Sequence, residues 1–180
     1  KQKGGCMKTI IKEYTVYDID DLKRDDDLCN DIYQEFWLDN PDNINRWADE
    51  NIDSFKTFAQ GLDMKFDCSL SNSEYPDRGC YIKLTANYYL DNKDYKELLK
   101  DYKGNGYCFC DELKTFTLDL LDKEEFKVLC ELSINDFVLE IQNKMFDLWF
   151  NDNKDYFSKE TFLSYVESNG YEFDENFNLI

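Results

Sequence analysis

The sequence predicts an α+β fold: an antiparallel sheet of about four to five strands with helices packed on one face. Three observations carry this. Met64, Phe66, Cys68 and Leu70 alternate with Lys65, Asp67 and Ser69, and Cys80–Leu90 alternates in the same way, which is the period-2 signature of half-buried strands. Ile44, Trp47, Ala48, Ile52, Phe55, Phe58, Ala59 and Leu62 recur at three- and four-residue steps, as one face of a helix does. Ile134, Val138, Ile141, Met145 and Leu148 form a second such stripe, widened by Phe137 and Trp149.

The other elements follow in chain order. Thr9–Ile19 is rich in β-branched and aromatic residues and reads as a first strand. Asp20–Leu38 spaces Leu22, Leu28, Ile32, Phe36 and Trp37 as a helix, against the run Asp25–Asp27. Asn40-Pro41-Asp42 reads as a turn, and Gly61 as a helix C-terminal signal. The two alternating strands form a hairpin across Ser71–Gly79. Asp94–Tyr102 is a short helix, Gly104-Asn105-Gly106 a turn, and Tyr107–Cys110 and Thr115–Leu120 two further short strands. Ser158 is placed to cap a helix over Lys159–Ser168, stopped by Asn169-Gly170. Tyr171–Ile180 reads as two extended pieces around Asp174-Glu175-Asn176.

Composition narrows the class. The 180 residues hold 39 Asp and Glu against 21 Lys and Arg, with no histidine, for a net charge of −18. Self-repulsion of that size opposes compaction, and solubility alone needs a magnitude of only about 2–8. Aromatics make up 17% of the chain, far more than a disordered acidic tail carries, so the chain is expected to fold. The length suits one domain. Residues 1–6 (Lys-Gln-Lys-Gly-Gly-Cys) belong to no periodic pattern and read as a cloning scar or upstream extension, with 7–180 a single compact acidic domain starting at Met7. No membrane span or signal-peptide core is visible, and the cysteines are expected as cytosolic thiols or metal ligands rather than disulfides.

Without histidine, no Ser-His-Asp, Cys-His or His-Glu-x-x-His site can be built, and no phosphate-binding glycine loop is present. The reading is therefore not an enzyme, and no cofactor is required. Cys108 and Cys110, two apart on a strand, would share a face, and Cys68 and Cys80 would share the core face of the hairpin. Four converging thiolates would hold a structural zinc, whereas buried cysteines acting as small apolar side chains explain the same positions.

The acidic residues make the partner-binding set. Asp18, Asp20, Asp21, Asp25, Asp26 and Asp27 are the densest run; Asp39, Asp42, Asp49, Glu50 and Asp53 form a second, partly on the polar face of the Ile44–Leu62 helix, of which Asp49, Glu50 and Asp53 join the contact set; Glu167, Glu172, Asp174 and Glu175 form a third. Solvated helix faces account for any single acid. Collectively, carboxylates on a folded surface imitate the phosphate array of DNA and compete for Lys/Arg grooves. The expected partner is thus a basic nucleic-acid-binding protein, with neither nucleic acid itself nor a membrane bound directly. Trp37, Tyr88 or Tyr89 would supply aromatic anchors, with core roles for Trp37 and Tyr88 as the alternative.

Two stretches carry a resemblance. Lys8-Thr-Ile-Ile-Lys-Glu-Tyr-Thr-Val-Tyr-Asp-Ile-Asp-Asp-Leu22 resembles the opening of a broad group of small phage and prophage proteins. Those begin with a strand, a Phe-Asp-Glu-Leu-like box and an acidic helix. Ser158-Lys-Glu-Thr-Phe-Leu-Ser-Tyr-Val-Glu-Ser-Asn-Gly-Tyr-Glu-Phe-Asp-Glu-Asn176 is similar to that group's last helix and acidic close, and Ser73–Tyr81 to its loop-to-strand segment. The Asp25–Asp27 run and the Cys108-Phe-Cys110 pair depart from the group. Some of its members are antitoxin-like, and small acidic phage proteins of this kind include inhibitors of CRISPR nucleases. The resemblance implies a phage-encoded anti-CRISPR inhibitor in the cytoplasm of a bacterial host. It would block DNA loading by an RNA-guided nuclease through a DNA-mimicking surface. The alternatives are an antitoxin-like protein neutralising a basic toxin, and a metal-dependent enzyme.

Overall fold

The computed structural model describes residues 15–70, 79–86, 90–106, 108–129 and 133–180, without the side chains of 41–49 and 108. It is α+β but mostly helical. The elements are β1 (Val16–Tyr17), α1 (Ile19–Arg24), α2 (Asp26–Ile32), a π-helical turn (Tyr33–Leu38), α3 (Pro41–Gly61), β2 (Met64–Ser69), β3 (Tyr81–Ala86), α4 (Asn92–Asp101), α5 (Cys108–Leu121), a 3-10 turn (Glu124–Phe126), α6 (Ser133–Tyr156), α7 (Lys159–Asn169) and β4 (Phe173–Asp174). Among the described residues the expected sheet of four to five strands is replaced by two antiparallel sheets of two strands each, β1 with β4 and β2 with β3. The chain divides into two compact units, Lys1–Trp37 with Lys159–Ile180, and Leu38–Ser158.

The contiguous unit is built on the hairpin and four helices. Met64 pairs with Ala86 and Ser69 with Tyr81, which puts Met64, Ile82 and Leu84 on the core side and Lys65, Asp67, Lys83 and Thr85 in solvent. The alternation read from the sequence is therefore the inward–outward pleat itself. The amide of Leu84 donates to Gln142 Oε1 on α6 (3.1 Å), which occupies an edge group of β3. Pro41 opens α3 rather than a turn, since a proline at the first helical position loses no hydrogen bond. Phe55, Phe58, Ala59 and Leu62 of α3 are buried with Leu113 and Leu120 of α5 and Phe137, Ile141, Met145 and Trp149 of α6. Phe55 stacks on Phe109 with centroids 5.4 Å apart, and Tyr95 tilts against Phe137 at 5.1 Å.

One expectation fails outright here. Of the residues expected as strands, Cys108–Cys110 and Thr115–Leu120 lie instead in a helix over Cys108–Leu121, and Tyr107 lies outside the described residues. Phe109, Cys110, Leu113, Thr117, Leu120 and Leu121 are buried, a 3.6-residue spacing that the local β-formers Thr115, Phe116 and Thr117 obscure.

The other unit joins sequence-distant segments. Val16 pairs with Asp174 and Tyr17 with Phe173, and Phe173 also bridges Leu179, which joins the two extended pieces expected around Asp174-Glu175-Asn176. The expected strand Thr9–Ile19 is seen only at Val16–Tyr17; residues 9–14 lie outside the described residues. The expected helix Asp20–Leu38 breaks at Asp25, which ends α1 and caps α2. Trp37 packs on Phe162 (6.0 Å) and Tyr165 (4.9 Å), Tyr33 on Phe162 (5.5 Å), and Phe36 on Phe173 (5.0 Å). Lys23 pairs with Glu167 at 2.9 Å, and Lys159 reaches Asp26 (3.2 Å) and Asn30 (2.9 Å).

Tyr102 ties three helices of the contiguous unit. Its ring lies edge-on to Phe58, 5.4 Å away, and so close to Gly61 that a Cβ there would stand 2.6 Å from it. Its hydroxyl donates to Cys110 Sγ (3.1 Å), and its carbonyl accepts from Lys114 Nζ (2.9 Å). Gly104, with φ +67, lets the loop turn beneath; a Cβ at Gly104 would lie 2.9 Å from Cys110 Cβ. Gly104→Ala is therefore expected to destabilise by more than about 1 kcal/mol, because both the left-handed backbone and the contact oppose it. A urea midpoint equal to wild type, followed by circular dichroism, would contradict this.

Candidate interaction surface

The acidic run is positioned by its own capping chemistry. Asp18 accepts from the amides of Asp20 (2.9 Å) and Asp21 (3.0 Å), while Asp21 accepts from the amide of Asp18 (3.3 Å), a reciprocal box at the start of α1. Asp25 caps α2 without a reciprocal bond, accepting from the amides of Asp27 (3.1 Å) and Leu28 (3.1 Å). Each cap satisfies amides that the first helical turn leaves open, and a carboxylate there also opposes the positive helix end. Asp21 additionally meets Arg24 at 3.5 Å. Asp20 and Asp27 are exposed and take no cap role.

The contact residues of the second set lie on α3. Asp53 is exposed and Glu50 half-buried; the side chain of Asp49 is outside the described residues. In the third set Glu167 pairs with Lys23. Asp174 accepts from the amides of Asn176 (2.8 Å) and Asn178 (2.9 Å), and these bonds, that from Asn178 first, hold its carboxyl below the usual range. The proposed aromatic anchors fare differently. Trp37 is 2% exposed and belongs to the core, whereas Tyr88 and Tyr89 lie outside the described residues.

The cysteine geometry is corrected. Cys108 and Cys110 fall on a helix, α5, so the strand face they were expected to share is absent; the side chain of Cys108 lies outside the described residues. Cys110 is buried between the Tyr102 hydroxyl and Asn105 Oδ1, the latter 3.1 Å from its sulfur. Cys68 remains on the inner face of β2, half-buried, and Cys80 precedes β3. Among the described residues no group of three or more His, Cys, Asp or Glu is placed to hold a metal. Burial raises the thiol pKa of Cys68, as the charge of Asp67 does, and burial likewise raises that of Cys29, with Lys159 opposing.

A further acidic site was not singled out from the sequence. Asp94, Glu97, Leu98 and Asp101 fall on one face of α4 at helical spacing, and with Asp63 and Leu90 they line an open groove of about 560 Å³. The leucines are half-buried and the four carboxylates exposed. α4 is fixed on α5 at both ends. Asn92 Nδ2 donates to the carbonyls of Leu121 (2.8 Å) and Phe126 (2.7 Å), and the Tyr102 carbonyl receives Lys114. Asp91 and Asp94 form the capping box at its start. Buried Tyr95 and Leu99 face inward, so the acidic face looks out. The signal was present in the sequence as i, i+3, i+7 acids, but an isolated exposed helix face carries it too.

No family model, curated protein or solved structure matches this chain. Among the described residues no helix is long and apolar enough to cross a membrane.

Two outcomes are expected. Asp25→Ala should destabilise by about 1 kcal/mol while Asp25→Asn costs little, since asparagine caps as well as aspartate; equal losses in chemical denaturation would assign the effect to charge instead. Burial, then the charge of Asp63, pushes the Tyr95 hydroxyl up from 10.0 to about 12. The folded state holds that proton more tightly. Its contribution to stability is complete below pH 10 and is lost as pH rises toward 12. Urea midpoints of wild type relative to Tyr95→Phe should fall across that window; parallel curves would refute the assignment.

Proposed function

We propose that this chain is an inhibitor that acts by occupancy rather than turnover, binding a basic nucleic-acid-handling protein through its acidic surface. An RNA-guided nuclease is the target favoured by the resemblance of the two terminal stretches to phage proteins. One observation carries the reading. Every acid of the expected contact set whose side chain is described (Asp18, Asp20, Asp21, Asp25, Asp26, Asp27, Glu50 and Asp53) is exposed or half-buried, and none is sequestered. Capping uses lone pairs of Asp18 and Asp25 without removing their charge. The net charge of −18 adds a field that steers the chain toward a cationic channel and away from nucleic acid.

Such a surface displaces nucleic acid by taking the Lys/Arg contacts that otherwise neutralise phosphates. Binding should then be fast and salt-sensitive. In cleavage of target DNA by guide-loaded nuclease, the chain is expected to inhibit near stoichiometry at about 50 mM salt and at least tenfold more weakly at about 300 mM. Asp20→Asn combined with Asp27→Asn should weaken inhibition, because those acids have no cap role. Inhibition that is flat with salt rejects charge mimicry, and none across several nucleases moves the antitoxin-like reading to first place.

A further inference from the structure

β3 has one edge turned away from β2, and the pairing fixes which main-chain groups point there. In an antiparallel pair, successive residues direct their N–H and C=O alternately toward the partner strand and away from it. The Leu84 amide points away, since it donates to Gln142 Oε1 on α6 at 3.1 Å. Ile82 lies two residues earlier and has the same parity, so its N–H and C=O also point away from β2. Two residues of strand span about 6.6 Å, too far for Gln142 to serve both amides. Among the described residues no hydrogen bond is made by the main chain of Ile82 on that side. A cleft of about 490 Å³ opens there between β3 and α6, lined by Tyr81, Ile82, Gln142, Asn143, Phe146 and Asp147.

The walls of the cleft select its occupant. Leu139, Phe146 and Phe150 share one face of α6 at helical spacing. Tyr81, Leu139 and Phe150 are exposed by 44%, 48% and 39%, so large apolar side chains stand in water beside an open strand edge. Asp136, Glu140 and Asp147 form the adjoining stripe of α6, all exposed. The one basic residue between Asp136 and Asp147 in sequence, Lys144, turns instead to Glu112 (2.7 Å) and to the Phe116 ring on α5. An apolar strip beside an acidic one suits side chains with apolar bodies and cationic ends, as arginine and lysine have. The open N–H and C=O of a strand edge suit another main chain. An extended, basic segment meets both requirements, whereas a second copy of this chain would bring a further −18 to the same face.

We infer that the β3 edge takes up an extended, basic segment of a protein partner as a third strand. The main chain of that segment pairs with Ile82, and its inward side chains lie over Phe146 with their cationic ends toward Asp147. The inference rests on the reading that the chain binds a basic protein, and it names the place and the mode of contact.

The test uses the full chain and a fluorescent peptide alternating arginine with valine, followed by anisotropy and by amide hydrogen exchange in NMR spectra. Saturating peptide should slow exchange of the Ile82 amide at least about tenfold and that of Leu84, already bonded to Gln142, less than about threefold. The same peptide with every backbone nitrogen methylated keeps its charge and should bind at least about tenfold more weakly. Asn143→Trp fills the cleft and should cost at least about tenfold in affinity. Asp147→Asn should cost about threefold, and Asp27→Asn, the same charge removed from α2, less than about twofold. All three positions are exposed, and circular dichroism checks that each variant folds. No binding by wild type, an unchanged Ile82 amide or equal binding of the methylated peptide overturns the strand pairing. Wild-type affinity in Asn143→Trp overturns the cleft. A chain that dimerises by itself in sedimentation, with Asn143→Trp monomeric, assigns the edge to a second copy and overturns the basic segment. The same variants go into the nuclease assay. If wild type inhibits no nuclease while peptide still protects Ile82, the nuclease reading falls and the edge stands. If Asn143→Trp both inhibits and binds peptide as wild type does, the edge falls and the nuclease reading stands.

Discussion

The contiguous unit depends on the way α4 is fixed to α5. Asn92 holds one end through two backbone carbonyls, and Tyr102 holds the other through Cys110, Phe58 and the bare backbone of Gly61. A ten-residue helix has little stability of its own in water, so its rotation about its axis is set by such attachments and by the burial of Tyr95 and Leu99. Once that rotation is set, the direction of Asp94, Glu97, Leu98 and Asp101 follows without further choice. Tyr102 also explains the local glycines. Its ring occupies the place a side chain at position 61 would need, and the left-handed turn at Gly104 brings the loop past Cys110. Burial, then the bond to that thiol, raises the hydroxyl pKa of Tyr102, so it remains a donor throughout the physiological range.

Acidic residues in this protein serve two physical roles that are hard to separate by composition. At Asp18, Asp25 and Asp91 a carboxylate accepts amide protons that a helix start would otherwise leave to water. At Asp20, Asp27, Glu97 and Asp101 no such bond is made among the described residues, and the carboxylates are exposed. A chain that breaks its first helical segment into two short helices multiplies helix starts, and each start accommodates an acid favourably. High negative charge and secondary structure are therefore compatible here, because much of the charge sits where the helix field welcomes it. The ion pairs Lys23–Glu167 and Lys159–Asp26 join α1 and α2 to α7, but their partners are largely exposed, and aromatic packing around Phe162 and Trp37 does more to hold that unit together.

Legibility followed the length over which a pattern could be averaged. The hairpin, α3 and α6 were readable because their apolar periodicity runs through several repeats, and α7 through the cap and stop signals at Ser158 and Asn169-Gly170; the α+β class followed from them. α5 was not, since Phe, Thr and Cys favour strands locally and its helical spacing emerges only when Phe109, Leu113 and Leu120 are taken together. The break at Asp25 is an Asp-x-x-Leu cap that looks like an interrupted helix when read as hydropathy. Of the site residues, the α1–α2 acids were legible as charge but not as caps. Converging cysteines relied on a strand that is a helix. The groove needed the turn after α3 beside α4, a juxtaposition that no local pattern encodes.

The pairing of Val16 with Asp174 has a consequence for how the chain acquires its structure during synthesis. The unit spanning Leu38–Ser158 is contiguous and has all its core residues once position 158 has emerged from the ribosome. The other unit cannot close at that stage. Its acidic helices are made before the contiguous unit, yet Phe162 and Phe173, on which Tyr33 and Phe36 of the following π-helical turn pack, are made after it. Until α7 and β4 have been made, α1 and α2 are charged and uncovered, held apart from neighbouring nascent chains by like-charge repulsion. The same aspartates that cap those helices thus act as a built-in solubility tag for a segment that must wait for its partner.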